Sequence, residues 1–453
     1  VIRSPIPAAL ARPIPSLLLP ASAIRTPSWM RRFQFAADFV REHALLGGRR
    51  VSMAAIDSYH TRASARRAED GQGVSREFAN GAIAVTDRGY DSREGWTNLV
   101  GSADFATATL GVIGAGGSLP GWAATGVATA GLTTEVVELL TYRGLPAARV
   151  RVYGNWNGTF WELRPGEQQG LTEGLTYTSS MVIAERQSPG AAAPQLEVSW
   201  RSAPSSAFVS GILVSTPSQF TNPATPDLQS ASLVCPAGAS RVRLRLISGG
   251  SSGWVAGNFI DFSCVLAAPQ VTATSYLMPF GSNTIAPDAL VIPASAAGLA
   301  INPTTTGLTM IWRGRDFQSA NAFARAIEAR ADSNNRFTVF RRASNGGLGT
   351  TLGSGGPTSG PDLATLAQVP RDAEFTVVAT WRADGTFWGR AGAQAPFTMS
   401  GRPMLIGSLT GIGLGCGGDG GAIQNAQTRL AAVGAFSLSD ADALALFNQV
   451  AAA

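Results

Sequence analysis

The chain has 453 residues, 45% hydrophobic and only 14% charged, with 52 Gly, 26 Pro and a formal charge of +5. That length exceeds one ordinary core, so two or three domains are expected, and low charge with abundant Gly and Pro marks a turn-rich, all-β chain. All 35 basic residues are arginines scattered among apolar runs, the mark of a GC-rich genome rather than of a nucleic-acid surface, and no run approaches the ~18 apolar residues of a membrane span, so neither nucleic acid nor membrane insertion is expected.

Residues 1–28 carry Pro5, Pro7, Pro13, Pro15, Pro20 and Pro27, which remove backbone donors and forbid a regular helix. Leu17-Leu18-Leu19 lies between two of them and is a poor signal-peptide core, so neither ordinary secretion nor membrane anchoring is expected. Such a segment is either disordered or laid extended across a partner surface. Ser28 opens a stretch that reads two ways. Trp29 and Phe33 share one face of a helix, yet Phe33, Phe35 and the following alanines alternate as in a strand.

From Arg49 to Val85, Glu69-Asp70-Gly71 and Asn80-Gly81 are hairpin-type turns between short strands. In the stretch Thr86–Val100, Asp87-Arg88-Gly89 reads as a tight turn, because Gly supplies the positive φ and Asp can bond its own backbone. Trp96 to Val100 then leads into a new domain. Thr61-Arg62-Ala63-Ser64, Thr86-Asp87-Arg88-Gly89 and Glu94-Gly95-Trp96-Thr97-Asn98-Leu99 together resemble the recurrent lead of tailed-phage and gene-transfer-agent fibre and spike proteins. Tyr90-Asp91-Ser92-Arg93 departs from the more apolar residues usual before that exit.

Residues 101–275 alternate with period two: Val150 and Val152 against Arg149 and Arg151; Leu196, Val198 and Trp200; Val242, Leu244 and Leu246 against Arg241, Arg243 and Arg245; Ile260, Phe262 and Cys264. Turn signals at Asn155–Gly158 and Gly249–Gly253 separate such runs, and the spacing predicts a β-sandwich, most simply a jelly roll. The order of Asn98-Leu99, Gly144-Leu145-Pro146-Ala147, Gly174-Leu175-Thr176-Tyr177-Thr178 and Ala273-Thr274-Ser275-Tyr276 resembles the carbohydrate-binding-module-like jelly rolls of the same fibre proteins.

After a linker with Pro279, Pro287 and Pro293, strands are expected at Leu308–Trp312, Phe323–Ala329, Arg336–Arg341, Glu374–Trp381, Thr386–Gly389, Met404–Ile406 and Arg429–Phe436. Ser439 and Asp442 form a capping-box-like start for a helix ending near Val450. The end, Ala435-Phe436-Ser437-Leu438-Ser439-Asp440 with Leu444 and Phe447, and the hairpin Trp381-Arg382-Ala383-Asp384-Gly385 are similar to concanavalin A-like or laminin-G-like lectin domains. The expected layout is therefore mainly β: a particle-attachment segment 1–50, a short-strand connector 51–100, a jelly roll 101–275 and a lectin-like sandwich 276–453, the two antiparallel sandwiches in tandem.

Catalysis is not expected. The only histidines, His43 and His60, lie in the lead, and no Ser-His or Cys-His arrangement is visible. Gly249–Gly253 matches G-x-S-x-G without a following helix, and Gly413–Gly418 matches a dinucleotide fingerprint outside any β-α-β unit. Glu328 and Glu374 stand isolated, without the paired carboxylates of a glycosidase. Asp419 among glycines is too few ligands for calcium, so neither metal nor cofactor is expected. Cys235, Cys264 and Cys416 read as buried thiols rather than a disulfide framework, although Cys235 and Cys264 are placed to pair.

Sugars present flat C–H faces and hydroxyl rims, which exposed aromatics and neighbouring polar groups recognise. The candidate carbohydrate-binding residues are Tyr153, Asn155, Trp156, Asn157 and Trp161 in the first sandwich and Trp312, Arg313, Asp316 and Trp388 in the second. Burial in a core competes for each aromatic, Phe160 and Trp381 included. The resemblance implies a virion fibre or spike on the particle exterior, held by capsid or tail proteins through residues 1–50, oligomeric and possibly trimeric, binding host surface polysaccharide. A spacer or docking platform for another fibre protein, and a polysaccharide depolymerase, are the alternatives.

Overall fold

The computed structural model describes residues 27–100, 105–125, 131–154, 160–184, 195–213, 227–249, 262–272, 284–317, 319, 322–342, 344–355, 359–364, 369–370 and 373–453. The chain is mainly β and antiparallel, as the alternation requires, and it forms two sandwiches. They are nested rather than strung in tandem.

The framework sandwich takes strands from both ends of the described chain. Its ten-stranded sheet runs in the order Arg49–Val51, His43–Leu46, Phe35–Asp38, Ala426–Gly434, Leu308–Asp316, Glu374–Trp381, Phe387–Ala391 and Phe397–Met399, with Val85–Thr86 and Gly89–Ser92 attached through Ala426–Gly434. The first long pairing is Phe35 with Val433 and Asp38 with Leu430, and Tyr90 pairs with Thr428 farther along the same edge. The facing seven-stranded sheet runs Ser359–Ala364, Leu348–Gly353, Arg336–Arg342, Phe323–Arg330, Gly411–Leu414, Ala289–Pro293 and His60–Thr61. One core of Phe35, Tyr90, Leu290, Trp312, Phe337 and Trp381, among others, fills the space between them.

The boundary expected after residue 100 is therefore corrected. Residues 35–92 supply strands to the framework sandwich instead of forming a separate attachment segment and connector, because the apolar strand Ala426–Gly434 needs a partner on each edge and the lead provides one. The two readings of the stretch after Ser28 divide between its parts: Met30–Arg32 is one 3₁₀ turn and Phe35–Asp38 a strand. Trp29 and Phe33 pack edge to face at 6.1 Å.

Residues 105–272 form the inserted sandwich. One sheet runs Gly111–Val112, Leu132–Tyr142, Leu145–Gly154, Phe262–Thr272, Thr176–Ala184 and Asp227–Val234; the other runs Trp122–Thr125, Phe160–Pro165, Arg241–Gly249, Gln195–Arg201 and Phe208–Leu213. Val150, Val152, Trp161, Leu196, Val198, Trp200 and Leu244 fill the space between. The two chain crossings meet as a small sheet, Thr97 paired with Thr284 and Trp96 with Ile285.

Ionic side chains are packed beside this crossing. Asp288 accepts from His60 Nε2 (3.1 Å), Arg62 Nη1 (2.7 Å) and the Arg93 backbone (3.0 Å), and Arg66 Nε lies 3.2 Å away. Asp91 accepts from Arg66 (2.7 Å) and Arg93 (2.7 and 2.9 Å). Ser64 accepts from the Ala286 backbone, and the Asn425 side chain bonds the Glu94 backbone. The polar residues of the stretch 60–94 are thus the clasp that closes the insertion.

The turn at Asp87-Arg88 is present between Thr86 and Gly89. Gly89 has φ +113°, and a Cβ there would collide with the Thr428 carbonyl. Thr86, not Asp87, bonds the turn's own backbone, while the Asp87 carboxylate reaches the Gly71 N–H at 2.6 Å. The sandwiches also touch through the hairpin of Arg66–Glu69 and Ser75–Phe78. The Ser75 N–H donates to the Arg143 carbonyl (2.7 Å) and Arg67 to the Gly144 carbonyl.

Six of the seven strands expected after residue 276 are present, with ends moved by a few residues. Met404–Ile406 is not a strand. Its backbone is taken by side chains: Ser354 Oγ donates to the Met404 carbonyl, and the Ile406 N–H donates to Asn335. Helix Asp440–Ala452 starts where the capping signal put it, with Ser439 accepting from the Asp442 N–H. Its buried Ala443, Leu446, Phe447 and Val450 cover the outer face of the ten-stranded sheet. No helix of the described residues is long and apolar enough to cross a membrane.

Candidate functional site

Among the described residues, the sequence-derived sugar candidates do not converge. Tyr153 stands on the outside of the inserted sandwich opposite Thr133, where desolvation and a hydrogen bond with Glu135 push its phenol above the ordinary value. Trp161 points the other way, fully buried, with its indole N–H donated to Thr134 Oγ1 at 2.8 Å. Asn155, Trp156 and Asn157 lie outside the described residues, as does most of Gly249–Gly253.

In the framework sandwich the expected set separates into three environments. Trp312 is fully buried between the sheets and donates to Thr428 Oγ1 (3.0 Å). Trp388 is buried on the opposite face, under the C-terminal helix. Asp316 is buried in an ion pair with Arg341 Nε at 2.7 Å. Arg313 is partly exposed, yet it bonds Glu374 (2.6 Å) and the Val450 carbonyl at the helix end. Trp161, Trp312, Trp388 and Asp316 are corrected from ligand candidates to core residues: strand alternation turns each inward or under the helix, where no sugar reaches.

Other expected features resolve as structure. Gly413 and Leu414 end a strand, and a Cβ on Gly413 would run into the Cys416 carbonyl, so the glycine run allows a close backbone turn. Asp419 pairs with Arg325 and Arg330. Glu328 is buried, accepting from Arg325 (3.0 Å), Thr338 (2.7 Å) and the Gly418 backbone (2.9 Å). Cys235 and Cys416 are free and buried.

The surface that does gather recognition chemistry is the outer face of the second sheet of the inserted sandwich. Because Val242, Leu244 and Leu246 face the core, Arg241, Arg243 and Arg245 face outward, and the neighbouring strands add Glu162, Arg164, Glu197 and Arg201. Arg245 sits between Glu197 (2.9 Å from both Nε and Nη2) and Glu162 (2.5 Å). Arg164 Nε also reaches Glu162, at 2.9 Å. Glu167 takes Arg243 and the Ser206 hydroxyl. Burial pushes the Glu167 carboxyl up, but Ser206 and Arg243 outweigh it and hold the pKa below the ordinary range.

At the edge of this face stands Phe208, 61% exposed and paired in register with Arg201. Its ring comes close to Gly211, where a Cβ would meet ring carbon Cε2 at 3.2 Å, so the glycine leaves room for the ring against the sheet. The Arg201 guanidinium stands 5.4 Å from the ring centroid. An exposed ring held against the sheet beside a donor-rich cation is the chemistry sought around Trp156. The signal for it was in the sequence, as Arg241-Val242-Arg243-Leu244-Arg245 and Trp200-Arg201, but cross-strand register decides which residues share the face.

Two further surfaces are less complete. On the seven-stranded sheet, Phe323 is 53% exposed, packs on Phe340 at 5.3 Å and carries Arg342 above it. At one end of the framework sandwich a pocket of about 480 Å³ is lined by Thr304, Ser354, Asp384, Arg402, Met404 and Ile406. The Asp384 carboxylate there is taken by the backbone and hydroxyl of Thr386.

No protein-family model and no curated protein matches this chain. Similar solved structures include the CBM40 of a Ruminococcus gnavus IT-sialidase bound to alpha2,3 sialyllactose, at 14% identity over 35% of this chain and 92% of that one, with a TM-score of 0.29. The N-terminal CBM22-1-CBM22-2 tandem of Paenibacillus barcinonensis Xyn10C matches at 10% identity over 76% of this chain and 98% of that one, with a TM-score of 0.25. A Trypanosoma rangeli sialidase in complex with sialic acid matches at 10% identity over 69% of this chain and 52% of that one, with a TM-score of 0.26. Identities and scores this low assign neither fold nor function, which rest on the strand pairing and the surface chemistry.

Proposed function

We propose that this chain is a non-catalytic glycan-binding protein of the virion-fibre or spike type, adhering to host surface polysaccharide through its inserted sandwich. The observation that carries the binding reading is Phe208, an exposed ring packed against Gly211 beside Arg201. A pyranose face stacks on such a ring, and its hydroxyls bond the flanking donors. The virion placement rests on the resemblance of residues 61–99. Attachment to capsid or tail proteins then belongs to residues ahead of Pro27, since those after it build the framework sandwich. Repetition of copies in an oligomer and over a particle raises effective concentration enough for weak sites to hold a cell.

The test is a glycan array and a host-capsule pull-down with the full chain and its Phe208→Ala variant. Binding that the variant loses supports the reading. A blank array and pull-down overturn it in favour of a spacer or docking role, and release of reducing ends from capsule overturns it in favour of a depolymerase.

A further inference from the structure

Arg201 differs from every other arginine on its face. Arg243 is held by Glu167, Arg245 by Glu197 and Glu162, and Arg164 by Glu162, while Arg241 lies 3.7 Å from Glu167. Arg201 has no carboxylate within ion-pair distance among the described residues; it donates once, from Nη1 to the Ser206 carbonyl at 3.2 Å. Its Nε is shielded from solvent and has no hydrogen-bond partner among the described residues. Guanidinium donors left unmatched in a shielded position are costly unless an anion or polar ligand takes them. Burial, then the charges of Arg243 and Arg245, lower the Arg201 pKa, and the opposing charges of Glu167 and Glu197 do not make up the difference.

Five arginines against three glutamates leave this face cationic. The unmatched cation is the one beside the exposed ring, at the register pair Arg201 and Phe208. The comparable arginines of the seven-stranded sheet, Arg325 and Arg330, are already engaged by Glu328 and Asp419.

We propose that the ligand of this face is a carboxylated polysaccharide, with a uronate-type carboxylate on Arg201 and a sugar ring on Phe208. This rests on the glycan-binding reading and narrows it to acidic chains. Stacking supplies affinity for any pyranose, whereas the free guanidinium donors bond a carboxylate about twice as strongly as a neutral hydroxyl and so favour a sugar that carries an anion. The Glu197 and Glu162 carboxylates, on either side of Arg245, repel an anion placed farther along the face, which favours the Arg201 end.

The test uses the full chain and two matched polymers, polygalacturonate and its carboxyl-reduced neutral counterpart, with affinity measured at two salt concentrations. Polygalacturonate is expected to bind more tightly than the neutral polymer and to lose affinity as salt rises. Arg201→Ala is expected to weaken it by about tenfold or more, from loss of charge-assisted bonds. Arg201→Ala weakens the neutral polymer less than it weakens polygalacturonate, because only hydroxyl contacts are lost there, and Arg201→Lys restores part of the acid preference. Arg149→Ala, on the outer face of the other sheet and paired with Glu138, removes the same charge and is expected to bind polygalacturonate as the parent does. Thermal melts confirm that each variant is folded.

Equal affinity for the two polymers, or equal losses in Arg201→Ala and Arg149→Ala, overturns the proposal. If neutral glycans bind the array while polygalacturonate does not, the acidic assignment falls and the glycan-binding reading stands; if nothing binds, both fall.

Discussion

Arg62 donates to Asp288 at 2.7 Å with both side chains fully buried, although the two stand 226 positions apart in the chain. The pair ties the entry into the inserted sandwich to the exit from it, and Arg66 and His60 converge on the same carboxylate. Removing the charge leaves buried cations unpaired. Asp288→Asn is therefore expected to destabilise the protein by about 3–5 kcal/mol in urea unfolding at neutral pH. A loss below about 1 kcal/mol, the range of an exposed ion pair, would falsify this role.

The same network sets an acid dependence. Burial pushes Asp288 and Asp91 up, but Arg66 with His60 and Arg62 in one case, and Arg93 with Arg66 in the other, outweigh it and hold both pKa values below the ordinary carboxylate value. A depressed folded-state pKa gives stability that is fully present above the unfolded value, about pH 4, and lost as pH falls through the lower folded values. Stability should be flat in this contribution from neutral pH to about 4 and then fall. Asp288→Asn should show a shallower fall below pH 4, measured by urea midpoints across an acid series. Equal slopes in parent and variant would remove Asp288 from the account.

Because Thr97 and Thr284 are register partners, the inserted sandwich can be cut out between adjacent chain ends. Deleting residues 99–282 and joining the ends by a short Gly/Ser turn should leave a framework that melts cooperatively. Starting the chain at residue 101 should fail, since Ala426–Gly434 then loses Phe35–Asp38 and Gly89–Ser92 along one edge. Circular dichroism and limited proteolysis of the two constructions give the answer. A folded second form would show that the lead is dispensable.

Core aromatics and the surface ring should behave oppositely. Trp161→Ala and Trp312→Ala remove fully buried indoles whose N–H groups are bonded, so each should cost about 3–5 kcal/mol. Phe208→Ala should cost within about 0.5 kcal/mol, because the ring is mostly in water, while abolishing glycan binding. Denaturation and binding curves measured side by side separate the roles. A Phe208 variant that unfolds early would make that ring structural.

Burial pushes the Cys416 thiol up to about 12, and burial with the Glu173 charge raises Cys235. Native protein treated with iodoacetamide at pH 8 should stay unlabelled at both positions, and urea should expose them, as read by peptide mapping. Rapid native labelling at Cys416 would show that the loop Cys416–Ala422 opens.

The sequence by itself determined what depends on short-range rules. Alternation in Arg241–Leu246 and Leu196–Trp200 places one row in the core and one in water whatever the partner strand. Gly89 makes its turn because only a residue without a Cβ sits there without colliding, and Ser439 starts its helix because its hydroxyl meets the Asp442 N–H. Tertiary structure alone decided what depends on pairing across long stretches of chain. That Phe35 lies beside Val433, that one sandwich is threaded into the other, and that Phe208 comes to rest beside an unmatched Arg201 are matters of register. The alternation says which side of a strand a residue faces, but not which strand stands next to it. For that reason Trp161, Trp312 and Trp388 read as ligands in the sequence and are core in the fold, while Phe208 shows its role only once its neighbours are in place.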